Sequence, residues 1–591
     1  MAPVQSSLFQ KVIEPIDTGW RPKPPPDLSE CWDIALDVET DGLDWSRGNR
    51  PLGIAIRVTD GRSWYLPWGH RGGNLDEAVV KDWAKSQLRE KHIINLNTRF
   101  DLHMMREWGV DLEAQGCTAT DVGHQAALLD DNRRRFNLEE LAQTYLGYGK
   151  LSSGIDATKM KEYHASQIAK YAEMDVRLAM ELNDMFMPWI QEQDLERVLD
   201  VENRLIWAVC EMERNAAPLD MEKLTRWVKE VEQAKLRLLW EINRESGLLF
   251  DPSKPSSWAK LFEHYGLEIP GRTETGKPSF TDEGVARTNH PVVQIARKAK
   301  KLDSLQNKYI TPYYEAAKGD GRLRYQLHQM RADEGGTVTG RFSSSNVNIQ
   351  QVKTPEKQMS ETGDQFLIRE LFIPESGQWL SADAMQIEYR LFAHYAAPPK
   401  VLAAYESDPL TSFHFVVWEM VKQFKPDLQY KPLKNYNFAK LYGAGVRKQA
   451  EMLGIPLAEA KALNAAYDQA FPEAKQVLAR AATAAEQRGY VKTILGRRSR
   501  FSGKMFLHKA FNRIDQGGAA DIMKMKIVEL HEQRKDTGFK LRFTVHDEVC
   551  GDVPDLEAAL KVQKILNHQS FPELKVPILW DVKTGANWKE C

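Results

Sequence analysis

Apolar and polar positions alternate with the period of a strand in WDIALDVETDG at 32–42, where Ile34, Leu36 and Val38 interleave with Ala35, Asp37 and Glu39. GIAIRVTD at 53–60, SWYLPWG at 63–69 and HIINLN at 92–97 read as further strands, and helical stretches follow to about residue 190. An α/β unit over residues 31–190 is expected, preceded by a polar arm at 1–30 that contains RPKPPPD. Beyond it, Val201, Leu205, Val209 and Met212 recur at helical spacing, as do Leu224, Val228, Val231, Leu238 and Ile242. These predict long, largely solvated helices with the shape of an arm, interrupted by a polar stretch at 251–290. From residue 330 strands and helices mix again. Two aspartates stand at predicted strand ends: Asp383 after a short apolar run, and Asp547 after alternating Leu541, Phe543 and Val545.

At 591 residues the chain is too long for one core and suggests three or four domains. Its 42% apolar and 27% charged residues are ordinary for a soluble globular protein, with no apolar run that spans a bilayer and no secretory signal in MAPVQSSLFQKVIEP. The five cysteines are odd in number and lack paired metal-ligand spacing, so they read as reduced thiols of a cytosolic protein. Eighty basic against eighty-two acidic residues give a net charge of −2. Nucleic-acid binding would therefore need local basic patches, for which the runs at 133–135, 297–301 and 496–500 are candidates.

The period of the first strand puts Asp37 and Glu39 on one face, about 7 Å apart. Two acids in an apolar strand repel each other unless a cation sits between them, the alternative being an exposed edge strand with solvated acids. NTRFDLHMM at 97–105 adds Asp101 near a helix start, and KYAEMDVRL at 170–178 adds Tyr171 and Asp175 one helical turn apart. In this order the four segments resemble the 3′–5′ proofreading exonucleases of the DEDD type, in the variant with a tyrosine in the last motif. The resemblance covers about residues 31–190. It implies two divalent metals on Asp37, Glu39, Asp101 and Asp175, a Tyr171 that positions the attacking water, and an intact activity.

Around Asp383, GGTVTGRFSSSNVNIQ at 335–350 forms a polar loop able to hydrogen-bond a nucleic-acid backbone. LKNYNFAKLYGAG at 433–445 puts Lys434, Phe438 and Tyr442 on one helical face, a point charge and two rings. GYVKTILGRRSRF at 489–501, FNRIDQGGAADIMK at 511–524 and VPILWDVKTGANW at 576–588 add polar groups on either side of the HDE segment at 546–548. Together these motifs, from about residue 31 to the C-terminus, resemble the family A DNA polymerases, the group of bacterial DNA polymerase I and several phage replicases. The implied architecture is α/β and multidomain. A ribonuclease H-like exonuclease domain (31–190) precedes a right-hand polymerase domain (191–591), with a thumb at about 195–330, a palm at about 331–410 and 506–591, and fingers at about 411–505.

The resemblance implies roles position by position. Asp383 and Asp547 carry two Mg²⁺ ions, as the exonuclease acids carry two more, with Mn²⁺ as an alternative; Glu548 supports them. Lys434 holds phosphates and protonates the leaving group, Tyr442 guards the insertion site, and Glu388 fills the space of a ribose 2′-hydroxyl. Gln386, Lys431, Phe438 and His414 complete the nucleotide site, with Phe438 implying poor use of dideoxynucleotides. Arg341, Asn348, Gln350, Asn512, Gln516 and His546 contact primer or template. Departures from the family pattern are Tyr430 and His508, where arginines are usual, and Val347, where proline is common. Neither a 5′-nuclease domain nor a thioredoxin-recruiting insertion is expected. The implied protein is a compact, monomeric phage-type replicase of the host cytoplasm. It would act on primer-template DNA and dNTPs, beside a helicase–primase and a single-stranded DNA-binding protein. A stand-alone exonuclease, a structural DNA-binding protein and a single-subunit RNA polymerase are the competing readings, separated by primer extension with dNTPs and then rNTPs.

Overall fold

The computed structural model describes residues 13–150, 154–273, 275–331, 335–363, 365–441, 443–503 and 506–591. The alternation around Asp37 and Glu39 becomes β1 (Asp33–Thr40), the middle of a five-stranded sheet with β2 (Pro51–Val58), β3 (Ser63–Pro67), β4 (His92–Asn95) and β5 (Thr118–Asp121), in the order β3-β2-β1-β4-β5. β2 runs antiparallel to β1, whereas β4 and β5 run parallel to it. Glu39 pairs in register with Gly53, where a Cβ would stand 2.5 Å from the Tyr65 hydroxyl, so the missing side chain makes room for the Tyr65 ring. Helix α1 (Thr98–Glu107) follows β4, and α2 (Ala165–Glu192) lies across β1 and β2 with Ile168, Ala169, Ala172 and Val176 buried.

The described part of the N-terminal arm has no regular secondary structure but is strapped to this unit. Thr18 N–H donates to Ser166 Oγ (2.9 Å), the Trp83 indole donates to the Pro26 carbonyl (2.6 Å), and Leu28 is buried. Residues 1–12 of the arm lie outside the described residues.

The expectation of solvated, arm-like helices holds for one helix and fails for its neighbour. α3 (Glu196–Asn215) is sunk between the N-terminal unit and the rest of the chain. Val198, Val201, Leu205, Val209 and Met212 join the main core, while Ile206 and Cys210 join the core of the first sheet. The helical stripe visible in the sequence is only one of two apolar faces, and a helix apolar on opposite sides is buried. α4 (Met221–Ser246) keeps the solvated character, with Leu236 and Trp240 exposed.

A second sheet assembles β6 (Gln378–Ala384), β7 (Lys540–Val545), β8 (Glu548–Val553) and β9 (Trp580–Gly585) in the antiparallel order β7-β8-β6-β9. β7 is buried at every residue from Leu541 to Val545, on both faces, rather than only at the alternating apolar positions. Arg542 is buried there because it bonds the Asn215 carbonyl (2.6 Å) and the Asp552 carboxylate (2.5 Å). Among the helices of this region, α5 (Ile387–Ala396), α6 (Phe413–Lys422), α7 (Tyr430–Leu441) and α8 (Ala510–Glu532) carry the residues expected at the site. Among the described residues no helix is long and apolar enough to cross a membrane.

The basic runs turn inward or pair locally. Arg497 bonds Glu202 (2.5 Å) and Asp521 (2.8 Å), and Lys524 bonds Glu202 (2.5 Å) and the Gln329 carbonyl (2.6 Å), all four side chains being buried. Arg500 bonds Asp131, Arg297 bonds Asp282 through two nitrogens (2.7 and 2.8 Å), and Arg135 bonds Glu140. The 496–500 run is therefore a brace joining α3, α8 and the N-terminal unit. Burial opposes ionisation of Glu202, but Lys524 and Arg497 outweigh it and hold the carboxyl at about 2. Glu202→Gln leaves two buried cations undercompensated and should cost about 3–5 kcal/mol in guanidinium unfolding. A variant as stable as wild type would contradict the brace.

Candidate active sites

The first site gathers Asp37 and Glu39 from β1, Asp101 from α1, and Tyr171 and Asp175 from α2. Asn95, at the end of β4, donates to Asp37 (3.2 Å) and to Asp101 (2.8 Å), and Asp101 also accepts from Val38 N–H (3.0 Å). Burial, with Asp175 beside it, pushes the Asp37 carboxyl up to about 7. Glu39 is pushed well above its ordinary value by burial and then by Asp37 and Asp175, and Asp101 by burial and Asp37. Burial also raises Asp175, against the pull of Lys150. Burial and Asp175 raise the Tyr171 phenol to about 12, which keeps it a hydroxyl donor near neutral pH.

Glu39 Oε1 and Asp175 Oδ1 are buried with no hydrogen-bond partner among the described residues. Unpaired carboxylate oxygens among mutually repelling acids are the donor set that hard divalent cations take, so the residues fit such an ion. The protein's own cation here is Lys150, which sequence reasoning missed. Its Nζ lies 2.5 Å from Asp175 Oδ2, 3.4 Å from the Tyr171 hydroxyl and 5.1 Å from that ring's centroid. Among the described residues no three or more His, Cys, Asp or Glu side chains are drawn together as a closed metal cage. Lys150 holds Asp175 in place of one.

The second site is built on β6. Asp383 stands in register with Glu548 on β8 and Asp581 on β9. Asp547 sits in the two-residue turn between β7 and β8, where His546 takes a φ of +56°, a left-handed conformation that His tolerates better than most residues. The Asp547 carbonyl accepts from Ala384 N–H (2.9 Å), which ties the turn to the end of β6. This single contact, with the register, explains how residues so distant in sequence converge. The Asp383 carboxylate is open to solvent on one side. Desolvation by the surrounding chain, then Glu548, Asp547 and Asp581, still push it up to about 7. Asp547 is raised by burial, with Arg341 opposing. Arg341 bonds Glu388 on α5 and reaches Asp547 Oδ1 at 3.5 Å. Two half-open acids, each raised first by desolvation and then by neighbouring carboxylates, fit divalent cations as the first site does.

The other predicted residues divide. Glu548 is buried, with its oxygens taken by Arg369 (3.1 and 2.9 Å), the Trp588 indole (2.6 Å) and the Ser381 hydroxyl, the place of a support. On α7, Lys431, Lys434 and Phe438 are exposed together while Leu433, Tyr436 and Asn437 face inward. Phe438 meets the edge of Tyr389 (5.2 Å between centroids, 80°). Tyr442 lies outside the described residues. Tyr430 packs edge-on against Trp418, and His508 lies near the Phe506 ring. Gln386 does not extend into open space: its side chain bonds Ser412 Oγ (3.3 Å) and Phe413 N–H (3.2 Å), capping α6. His414 departs furthest from expectation. It is buried against Tyr389 and Asn437, and burial together with Lys434 lowers it to about 4, so it is a neutral packed ring without charge to offer a phosphate. Gln350 braces the Asp547 turn, donating to the Thr544 carbonyl (2.5 Å) and accepting from His546 N–H (3.2 Å). Asn348 and His546 are exposed, and Asn512 and Gln516 are half-buried on α8. Besides Lys150, Arg369 and Asn95 carry no local signal of their part in these clusters, and Asp515, Asp581 and Trp588 lie within the quoted motifs without being singled out by them.

A family model described as DNA polymerase family A matches residues 221–590, and one described as 3′–5′ exonuclease matches residues 26–191. Similar proteins include DNA polymerase DpoZ of Salmonella phage PMBT28, 28% identical over 628 residues that cover 96% of this chain and 98% of the relative. DNA polymerase I of Pseudomonas aeruginosa is 26% identical over 602 residues, covering 95% of this chain and 64% of the relative. A solved structure, the POL domain of Pol1 from M. smegmatis in complex with DNA primer-template and dNTP, matches with a TM-score of 0.80 at 21% identity, covering 95% of this chain and 98% of that one.

A carboxyl raised in the folded state binds extra protons there between its unfolded and folded pKa values, so stability falls as pH rises through that window. With divalent ions chelated, the chain should lose stability between about pH 4 and 7, the window of Asp37 and Asp383. Asp37→Asn should flatten that slope in guanidinium melts; an unchanged slope would count against the electrostatics of the first site.

Proposed function

This chain belongs to DNA polymerase family A and carries a 3′–5′ exonuclease domain, and from that premise we propose how its residues divide the work. Residues 191–591 form the polymerase domain, with the thumb, palm and fingers bounded as expected from the sequence, and residues 31–190 form the proofreading domain. The polymerase adds dNTPs to a primer 3′-hydroxyl with release of pyrophosphate, in viral DNA replication.

The observation that carries this reading is the convergence of Asp383 and Asp547 at one end of the second sheet, together with a helix on which Lys434 is exposed. Asp383 and Asp547 would hold Mg²⁺, with Mn²⁺ as an alternative, and Asp37, Glu39, Asp101 and Asp175 would hold the same ions in the exonuclease. Bound there, such ions lower the pKa of an attacking hydroxyl or water and neutralise phosphoryl oxygens. Lys434 and Lys431 meet the triphosphate as point charges, and Lys434 stands where it can protonate the departing pyrophosphate. Phe438 and Tyr442 stack against the incoming base, and Glu388 fills the volume a 2′-hydroxyl would need, which selects deoxynucleotides. Arg369, Trp588 and Ser381 hold Glu548 beneath Asp383 as a rigid support. Arg341, Asn348, Gln350, Asn512, Gln516 and His546 line the path of primer and template. In the exonuclease, Tyr171 keeps its proton and orients the attacking water.

The partners follow from this chemistry: primer-template DNA, dNTPs and, in the host cytoplasm, a helicase–primase and a single-stranded DNA-binding protein. In primer extension Asp547→Ala should lose roughly a thousandfold in rate, the several kcal/mol that a metal ion contributes to such a step. Asp37→Ala with Glu39→Ala should abolish digestion of single-stranded DNA from the 3′ end and leave extension intact. Equal extension by Asp547→Ala would end the polymerase assignment of that site, and undiminished digestion would end the exonuclease one.

A further inference from the structure

Among the described residues Arg341 pairs with two acids, and both pairings obstruct the proposed reaction. Its guanidinium bonds Glu388, whose proposed place is beside the nucleotide sugar, and its Nη2 lies 3.5 Å from Asp547 Oδ1, a proposed metal ligand. A guanidinium on that carboxylate competes with a metal ion for the same lone pairs. Donors turned toward two acids are also withdrawn from a primer strand. Yet a guanidinium pulled away from its acids without a replacement partner is left partly buried and uncompensated, which is costly.

A third acid lies against the same group. Asp515, in the second turn of α8, is fully buried, and among the described residues neither of its oxygens has a hydrogen-bond partner. α8 packs on both elements that carry the Arg341–Glu388 pair. A Cβ on Gly517 would lie 3.5 Å from the Thr339 carbonyl oxygen, two residues before Arg341. One on Gly518 would lie 3.3 Å from Leu391, one turn beyond Glu388. Burial raises the Asp515 carboxyl far above its ordinary range; Glu388 and Asp547 add to the effect and Arg341 offsets it, so all three charges act on this carboxyl. An unpartnered acid in a packed interior is expensive to keep, and its unused lone pairs mark a position complete only in another state of the site.

We propose that Asp515 is a positioning residue that receives the Arg341 guanidinium when primer-template DNA enters, releasing Glu388 and Asp547 to their own ligands. The proposal rests on the reading of Asp383 and Asp547 as the polymerase centre. In the DNA-free chain Arg341 spans Glu388 and Asp547. In the loaded chain two of its donors rest on Asp515 and the remaining ones face the primer, a division that the five-donor fork of arginine permits and lysine does not.

Asp515→Asn and Asp515→Ser remove the charge with little change in volume. Neither should lower stability in guanidinium unfolding of the DNA-free chain, because each removes a buried unpaired acid. Both should weaken primer-template binding, measured by fluorescence anisotropy, by about tenfold, the size of one lost charge-assisted contact. With primer-template DNA bound at saturation, they should also weaken Mn²⁺ binding at Asp547, because Arg341 then stays there. Arg341→Ala should weaken DNA binding alike, and Asp515→Asn added to it should cost nothing more, since a shared contact is lost only once. A residue that merely supported the fold would lose stability and add its effect to that of Arg341→Ala. Wild-type DNA and Mn²⁺ affinity in both Asp515 variants, additive losses in the double variant, or wild-type DNA binding by Arg341→Ala would each overturn the proposal. Primer extension by the wild type, run alongside, reports separately on the polymerase reading.

Discussion

Carboxylates held close together and away from water are the constraint on which this molecule turns. Four lie around β1, with the Lys150 cation bonded to Asp175 among them. Asp383, Asp547, Glu548, Asp581, Glu388 and Asp515 lie around the end of β6, with Arg341 and Arg369 among them. Desolvation and neighbouring charge raise Asp37, Glu39, Asp101 and Asp175 in the first cluster and Asp383, Asp547 and Asp515 in the second. Neither cluster would persist on a yielding scaffold, because separating the charges would relieve it. Holding like charges together is the task of the fold, and a divalent ion is the partner that rewards it.

The scaffold answers with antiparallel register and buried braces. Asp383 cannot leave Glu548 and Asp581 without breaking the second sheet, and the Ala384–Asp547 hydrogen bond fixes the turn to that sheet's end. Glu548 is gripped by an arginine, an indole and a hydroxyl, so it adds field at Asp383 without moving. Further back, Glu202, Lys524, Arg497 and Asp521 lock α3 to α8. The same α8 carries Asn512, Asp515 and Gln516, so the brace that fixes the helix also fixes the floor beneath the proposed primer terminus.

The sequence made some of this legible because the chemistry and the local period coincide. Asp37 and Glu39 sit two apart in an alternating strand, and Tyr171 and Asp175 four apart in a helix, so their shared faces follow without knowledge of the fold. Lys434 and Phe438 were found in the same way. What escaped depends on distant neighbours. The run at 496–500 reads as a basic surface until Glu202, Asp521 and Asp131 arrive from elsewhere to neutralise it. α3 shows one apolar stripe because Ile206 and Cys210 are too few to announce a second face. His414 and Gln386 look available until burial and the cap of α6 claim them. Lys150 and Arg369 have no signal within their own segments, since each acts through side chains that only tertiary structure brings near.

Both clusters, on this account, are incomplete without divalent ions, and they are independent of each other. The direct test is a calorimetric titration of the chain with Mn²⁺ at neutral pH, repeated with Asp37→Ala/Glu39→Ala and with Asp383→Ala/Asp547→Ala. Two classes of binding are predicted, with each double variant eliminating one class and leaving the other at wild-type affinity. A titration that neither variant alters, or one in which either variant eliminates all binding, would contradict the account.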